Sequence, residues 1–223
     1  MYLDNRVPLP VNSNPGYLFP KRNFKDSDEM LRFVATLICG AWTYKETTDR
    51  RELPQDQATG KDGGQPMCMD QYYRMFTSYR LPAFPRDRQE TQCHPSASEG
   101  HAIVMYQNEP YKLIVSDGDG RLAVNEIEHQ LNQIWNGKHE SKKSPGFGII
   151  TAAQRDKAAS AMQNDENKKS LELIKTSAFI VCIDDPLSNS NPTIEEQMSH
   201  MFHGSGPNHS SANRWFDKTN QVN

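Results

Sequence analysis

The chain has 223 residues, with 25 Lys and Arg against 28 Asp and Glu for a formal net charge of −3, and only 35% hydrophobic residues. A pI near 6.2 argues against a nucleic-acid partner, which needs a concentrated basic face. No apolar run approaches the roughly 18 residues of a membrane-spanning helix, and no basic-then-apolar leader follows Met1, so a soluble, cytoplasmic chain is expected.

A chain of this size buries roughly 70–75% of its unfolded surface, enough for one domain with a core. The mean hydropathy of −0.80 is low for such a domain and implies long polar loops or absent packing partners. Cys39, Cys68, Cys93 and Cys182 are far apart and follow neither metal nor disulfide spacing, which fits reduced thiols.

In chain order, Met1-Tyr2-Leu3 reads as the last turn of a helix running into an extended, proline-marked stretch from Val7 to Pro20. Asp26 to Arg50 is the strongest predicted helix. Asp26 with Glu29 resembles a capping box, and Leu31, Val34, Leu37, Ile38, Ala41 and Trp42 recur at helical spacing as one apolar face. A polar loop follows from Glu52 to Pro66, then a short helix from Met67 to Phe76, then a proline-rich loop from Pro82 to Gly100. Ala102 to Tyr106 and Lys112 to Ser116 read as a hairpin turning at Asn108-Glu109-Pro110.

Leu122, Ile127, Leu131, Ile134 and Trp135 mark a second helix, and Lys138 to Pro145 is a charged loop. Gly146 to Thr151 is predicted as a strand, and Ala152 to Gln163 and Lys168 to Thr176 as helices. Ala178 to Ile183 is apolar throughout and reads as a central strand covered on both sides, with Phe179, Val181 and Ile183 facing opposite to Ile180 and Cys182. Thr193 to Met201 is predicted helical and Asn213 to Lys218 a last strand. Alternating helices and strands give an α/β class with a mixed sheet and flanking helices.

Spacing alone yields no complete active site. Asp117-Gly118-Asp119-Gly120 fails as a calcium loop because Arg121 stands where the fifth position needs a ligand, so it reads as a turn. His200, His203 and His209 lack a neighbouring cysteine or carboxylate to complete a tetrahedral metal set. His203-Gly204-Ser205-Gly206 follows a helix and precedes a loop, the reverse of a nucleophile elbow, and reads as a flexible turn. Cys93-His94 are adjacent in sequence, whereas catalytic Cys/His pairs meet in space.

Several segments, in order, resemble the choline/carnitine O-acyltransferase family. They are Met1 to Arg6 (YL-x-x-R), Leu31-Arg32-Phe33, Gly64 to Tyr73 (GQPMCMDQYY), Ser78 to Pro82 (SYRLP), Ser170 to Ile174 with Val181 to Asp184 (VCID), His203 to Gly206, and Asn213 to Thr219 (NRWFDKT). Departures are Ala83 after the SYRLP segment, Ser205 inside the glycine turn, and a loose Ile150 to Asp156 without the family's tryptophan. NRWFDKT, QIWN and FPKRNF are more similar to the carnitine acetyltransferase branch than to the choline branch.

The resemblance implies the coenzyme A-dependent acyltransferase fold and transfer of an acyl group between the coenzyme A thiol and the hydroxyl of carnitine or choline. It implies a histidine general base, because an alcohol is a weak nucleophile at neutral pH. No bound cofactor or metal is implied; the acyl-coenzyme A thioester is a co-substrate, and the partners are small molecules. In the family the histidine follows NRWFDKT, so it is expected beyond Asn223, and residues 1–223 form an incomplete domain without the coenzyme A half. The chain alone is therefore expected to be inactive. Tyr2 is the one site residue carried over, lining the tunnel for the quaternary ammonium, which an aromatic ring holds by cation–π attraction of about 0.5–2 kcal/mol. Family members also occur in mitochondria and peroxisomes. A different class remains open: a truncated, non-catalytic product that binds another subunit.

Overall fold

The computed structural model describes residues 16–81, 86, 88–91, 99–107, 109–137 and 165–204. The strongest helical signal forms the longest helix, α1, Ser27–Asp49. Asp26 caps it by accepting from the Glu29 N–H at 2.9 Å. The Glu29 carboxylate reaches back past the cap to the Lys25 N–H at 2.7 Å, so the predicted box closes one residue early.

The buried stripe of α1 is Leu31, Ala35, Ile38, Cys39 and Trp42, continued by Lys45 and Thr48. Val34 is partly buried against this core, whereas Leu37 is 37% exposed, which corrects its predicted burial. At about 100° per residue Leu37 lies roughly 120° round the helix from Leu31, and the small side chains of Ala35 and Cys39 occupy the inner face instead. Lys45 lays its stem along this stripe with its ammonium 5.3 Å from the Trp42 ring centroid and 2.5 Å from Asp49 Oδ2.

Between α1 and the sheet the chain departs from the predicted helix at Met67 to Phe76. The Met67 N–H donates to Asp56 O and the Ala58 N–H to Gln65 O, both at 2.8 Å, which commits Met67 to a hairpin-like pairing. The Tyr72 hydroxyl donates to Asp56 Oδ2 at 2.5 Å, and only the single 3-10 turn Tyr72–Arg74 remains helical. A second departure follows: Ser78–Leu81 (β1) and Arg88–Thr91 (β2) pair antiparallel where a loop is predicted from residue 82 onward.

Gly100–Tyr106 (β3) and Glu109–Asp117 (β4) form the expected antiparallel hairpin, turning at Gln107 with φ 48°. Asp117 Oδ1 then accepts from the Asp119 N–H at 2.9 Å, and this Asx turn folds Gly120–Arg121 (β5) back onto β4. Helices α2, Val124–Trp135, and α3, Asp165–Thr176, precede the strand Ile180–Ile183 (β6), which runs parallel to β3. Helix α4, Ile194–His203, follows with a full capping box between Thr193 and Glu196.

The sheet order β5-β4-β3-β6 contains antiparallel and parallel pairs, so the α/β, mixed-sheet class holds. Among the described strands β6 stands last, not in the middle as predicted, because an apolar sequence does not say which neighbour a strand takes. Its alternation is as expected, with Phe179, Val181 and Ile183 joining the core, but Ile180 is 37% exposed, which corrects the predicted cover of the second face. The predicted elements at Gly146 to Thr151, Ala152 to Gln163 and Asn213 to Lys218 lie outside the described residues.

Every residue of β3 is buried. Ala102, Val104 and Tyr106 share a core with Leu113 and Val115 of β4, the inner stripe of α1, and Ile127 and Leu131 of α2. Tyr106 stacks on Trp135 with centroids 5.0 Å apart. On β4, Gln130 of α2 makes a paired contact with Ile114, accepting from its N–H at 3.0 Å and donating to its carbonyl at 2.9 Å.

Trp42 lies directly on Gly100, where a Cβ would fall 2.5 Å from both Trp42 Cζ2 and Ser116 Oγ. Gly40, on the outer side of α1, has nothing within 4 Å of its Cβ position. Gly100→Ala is expected to destabilise by about 1–3 kcal/mol through overpacking. Gly40→Ala is expected to stabilise by about 0.5–1 kcal/mol through helix propensity alone. Urea unfolding midpoints of the two variants, moving in opposite directions, check both.

Candidate functional site

The elements above fix the surroundings of several residues singled out by sequence. Tyr2, Cys93, His94, His139, Ser205, Gly206, His209 and Asn213 to Thr219 lie outside the described residues. Asp117 to Gly120 is the turn between β4 and β5, and among the described residues no group of His, Cys, Asp or Glu is arranged to hold a metal.

The glycine turn after α4 begins as a helix cap. Gly204 takes φ 57° and donates its N–H to His200 O at 2.7 Å. His200 Nε2 lies 3.1 Å from Asp185 O, tying α4 to the chain that leaves β6. Gly16 packs against the end of the same helix: a Cβ there would fall 2.6 Å from Met201 Cε and 2.7 Å from Phe202 Cζ. Gly16 is thereby set against the helix that leads into the His203-Gly204 turn.

His101 is held differently. It sits in β3, 5% exposed, with Nε2 2.8 Å from Leu173 O at the end of α3. A carbonyl only accepts, so in both His101 and His200 the Nε2 carries the hydrogen. His129, on the surface of α2, pairs with Gln133 at 3.0 Å. The His101 contact belongs to a main-chain clamp on the α3–β6 turn. The Ala178 N–H donates to His101 O at 2.9 Å, the Ile103 N–H to Phe179 O at 3.1 Å, and the Thr77 N–H to Ala178 O at 3.2 Å. Thr77 makes its bond from φ 54°, a costly conformation for a β-branched residue, and is buried. No periodicity marks His101 or Thr77 in the sequence; both become visible only when β6 pairs with β3.

The resolved titration shifts follow burial and local pairs. Burial pushes the Tyr79 hydroxyl up, opposed by Lys175 and aided by Glu90. Lys175 is itself raised, chiefly by its bond to Glu90, 3.2 Å away, which links α3 to β2. Tyr106 is raised by burial. Tyr111 is raised furthest, first by burial and then by donating to Glu109 Oε2 at 2.6 Å.

A family model described as choline/carnitine O-acyltransferase matches residues 1–223, the whole chain. The chain belongs to the choline/carnitine O-acyltransferase family. It is 36% identical over 250 residues to the choline O-acetyltransferase of Drosophila melanogaster, covering 100% of this chain and 34% of that protein. It is 38% identical over 232 residues to the choline O-acetyltransferase of Gallus gallus, with 99% and 35% covered. It is 35% identical over 227 residues to the carnitine O-acetyltransferase of Columba livia, again with 99% and 35% covered. The chain thus spans about a third of the length of these curated relatives. Identities this close do not separate the two alcohols. Family membership accounts for the ordered motifs, and the helix-flanked mixed sheet is consistent with the acyltransferase fold.

Two outcomes are expected. His101→Leu leaves the Leu173 carbonyl without this donor and costs about 1–3 kcal/mol, while His101→Gln, which keeps an N–H, recovers part of the loss in the same unfolding assay. For Tyr111, a folded value above the ordinary tyrosine pKa of about 10 gives stability that is full below that pH and is lost as pH rises through the folded value. Unfolding midpoints measured from pH 8 to 11 should fall less for Tyr111→Phe than for the parent protein.

Proposed function

We propose that this chain is part of an acyltransferase that moves an acyl group between coenzyme A and carnitine. The observation that supports it is the family match across the whole chain, together with the carnitine-branch character of NRWFDKT, QIWN and FPKRNF. Choline is the second reading, favoured by the printed names of relatives at 36% and 38% identity.

In the proposed reaction the alcohol oxygen attacks the thioester carbonyl while a histidine takes its proton. Hydrogen-bond donors stabilise the tetrahedral oxyanion. Collapse breaks the carbon–sulfur bond, and the thiolate leaves with the proton the histidine held. Tyr2 offers its ring to the quaternary ammonium of the alcohol. The histidine is assigned to polypeptide following Asn223, in a domain of which residues 1–223 form one part. Within the described residues His101 and His200 each commit Nε2–H to a main-chain carbonyl, which fits structural roles for both.

The experiment follows free coenzyme A release from acetyl-coenzyme A with carnitine or choline present. A polypeptide of the relatives' length that contains this sequence is expected to turn over, faster with carnitine. Residues 1–223 alone are expected to match the no-protein rate, since loss of a general base costs about 10²–10⁴ in rate and loss of positioning more. Turnover by residues 1–223 that disappears on replacing His101 or His200 would overturn the assignment. A higher rate with choline would replace the alcohol but keep the reaction.

A further inference from the structure

We draw no further inference here: the strongest candidate, the half-exposed apolar patch of Leu37 and Tyr44 on α1 with the Phe76 ring beside Tyr44, carries nothing because nothing in the structure shows what covers it.

Discussion

The complete burial of β3 is the constraint on which the other elements depend. A strand with no exposed residue must be hydrogen-bonded along both edges and covered on both faces, since an unpaired buried amide costs about as much as a lost hydrogen bond. One edge is met by β4 through a short turn, which is local and easily formed. The other is met by β6, more than seventy positions away, so the parallel pair must wait for the intervening chain to fold back. One face receives Ala102, Val104 and Tyr106 against α1 and α2. The glycine that opens the strand exists to admit Trp42, whose indole is fixed in turn by Glu46 at 3.1 Å.

The same constraint explains why histidines here read as structure. A histidine inside a fully buried strand is tolerated only if its ring nitrogens find partners, and His101 spends Nε2–H on the Leu173 carbonyl in the last turn of α3. That bond, the Thr77 to Ala178 tether and the two bonds from β3 to Ala178 and Phe179 converge on one turn. The turn delivers β6 into parallel register and so determines where the chain after Ile183, and α4 beyond it, emerges. His200 then anchors α4 to Asp185. Chemistry-bearing residue types are used here to fix the path of the backbone.

Much of this was legible in the sequence where periodicity was long or composition uniform. The helix α1 announced itself by its cap and apolar recurrence, and the β3–β4 hairpin by two apolar runs around a turn. Leu37 departs from its predicted burial because hydrophobicity alone does not fix the centre of a face; Ala35 and Cys39, smaller and less apolar, fill it instead. Lys45 gave no sign of burial, since its stem and its charge obey different rules. The β1–β2 pair carries no sequence signal because Arg88–Thr91 is short, polar and largely exposed, with no alternation to read. The family was legible through motifs scattered in order along the chain, but Tyr2, the site residue they implied, lies outside the described residues.

The Gln130 contact with Ile114 has a consequence for self-association. A sheet recruits a foreign strand where it presents a row of open amide and carbonyl groups. On the β5 side that row is only two residues long, and immediately beyond it the side-chain amide of Gln130 occupies both the N–H and the carbonyl of Ile114. An intruding strand would therefore have to break two hydrogen bonds at Ile114 before extending its pairing along β4. A single helical glutamine thus does at Ile114 what one residue of a pairing strand would do, without lengthening the sheet.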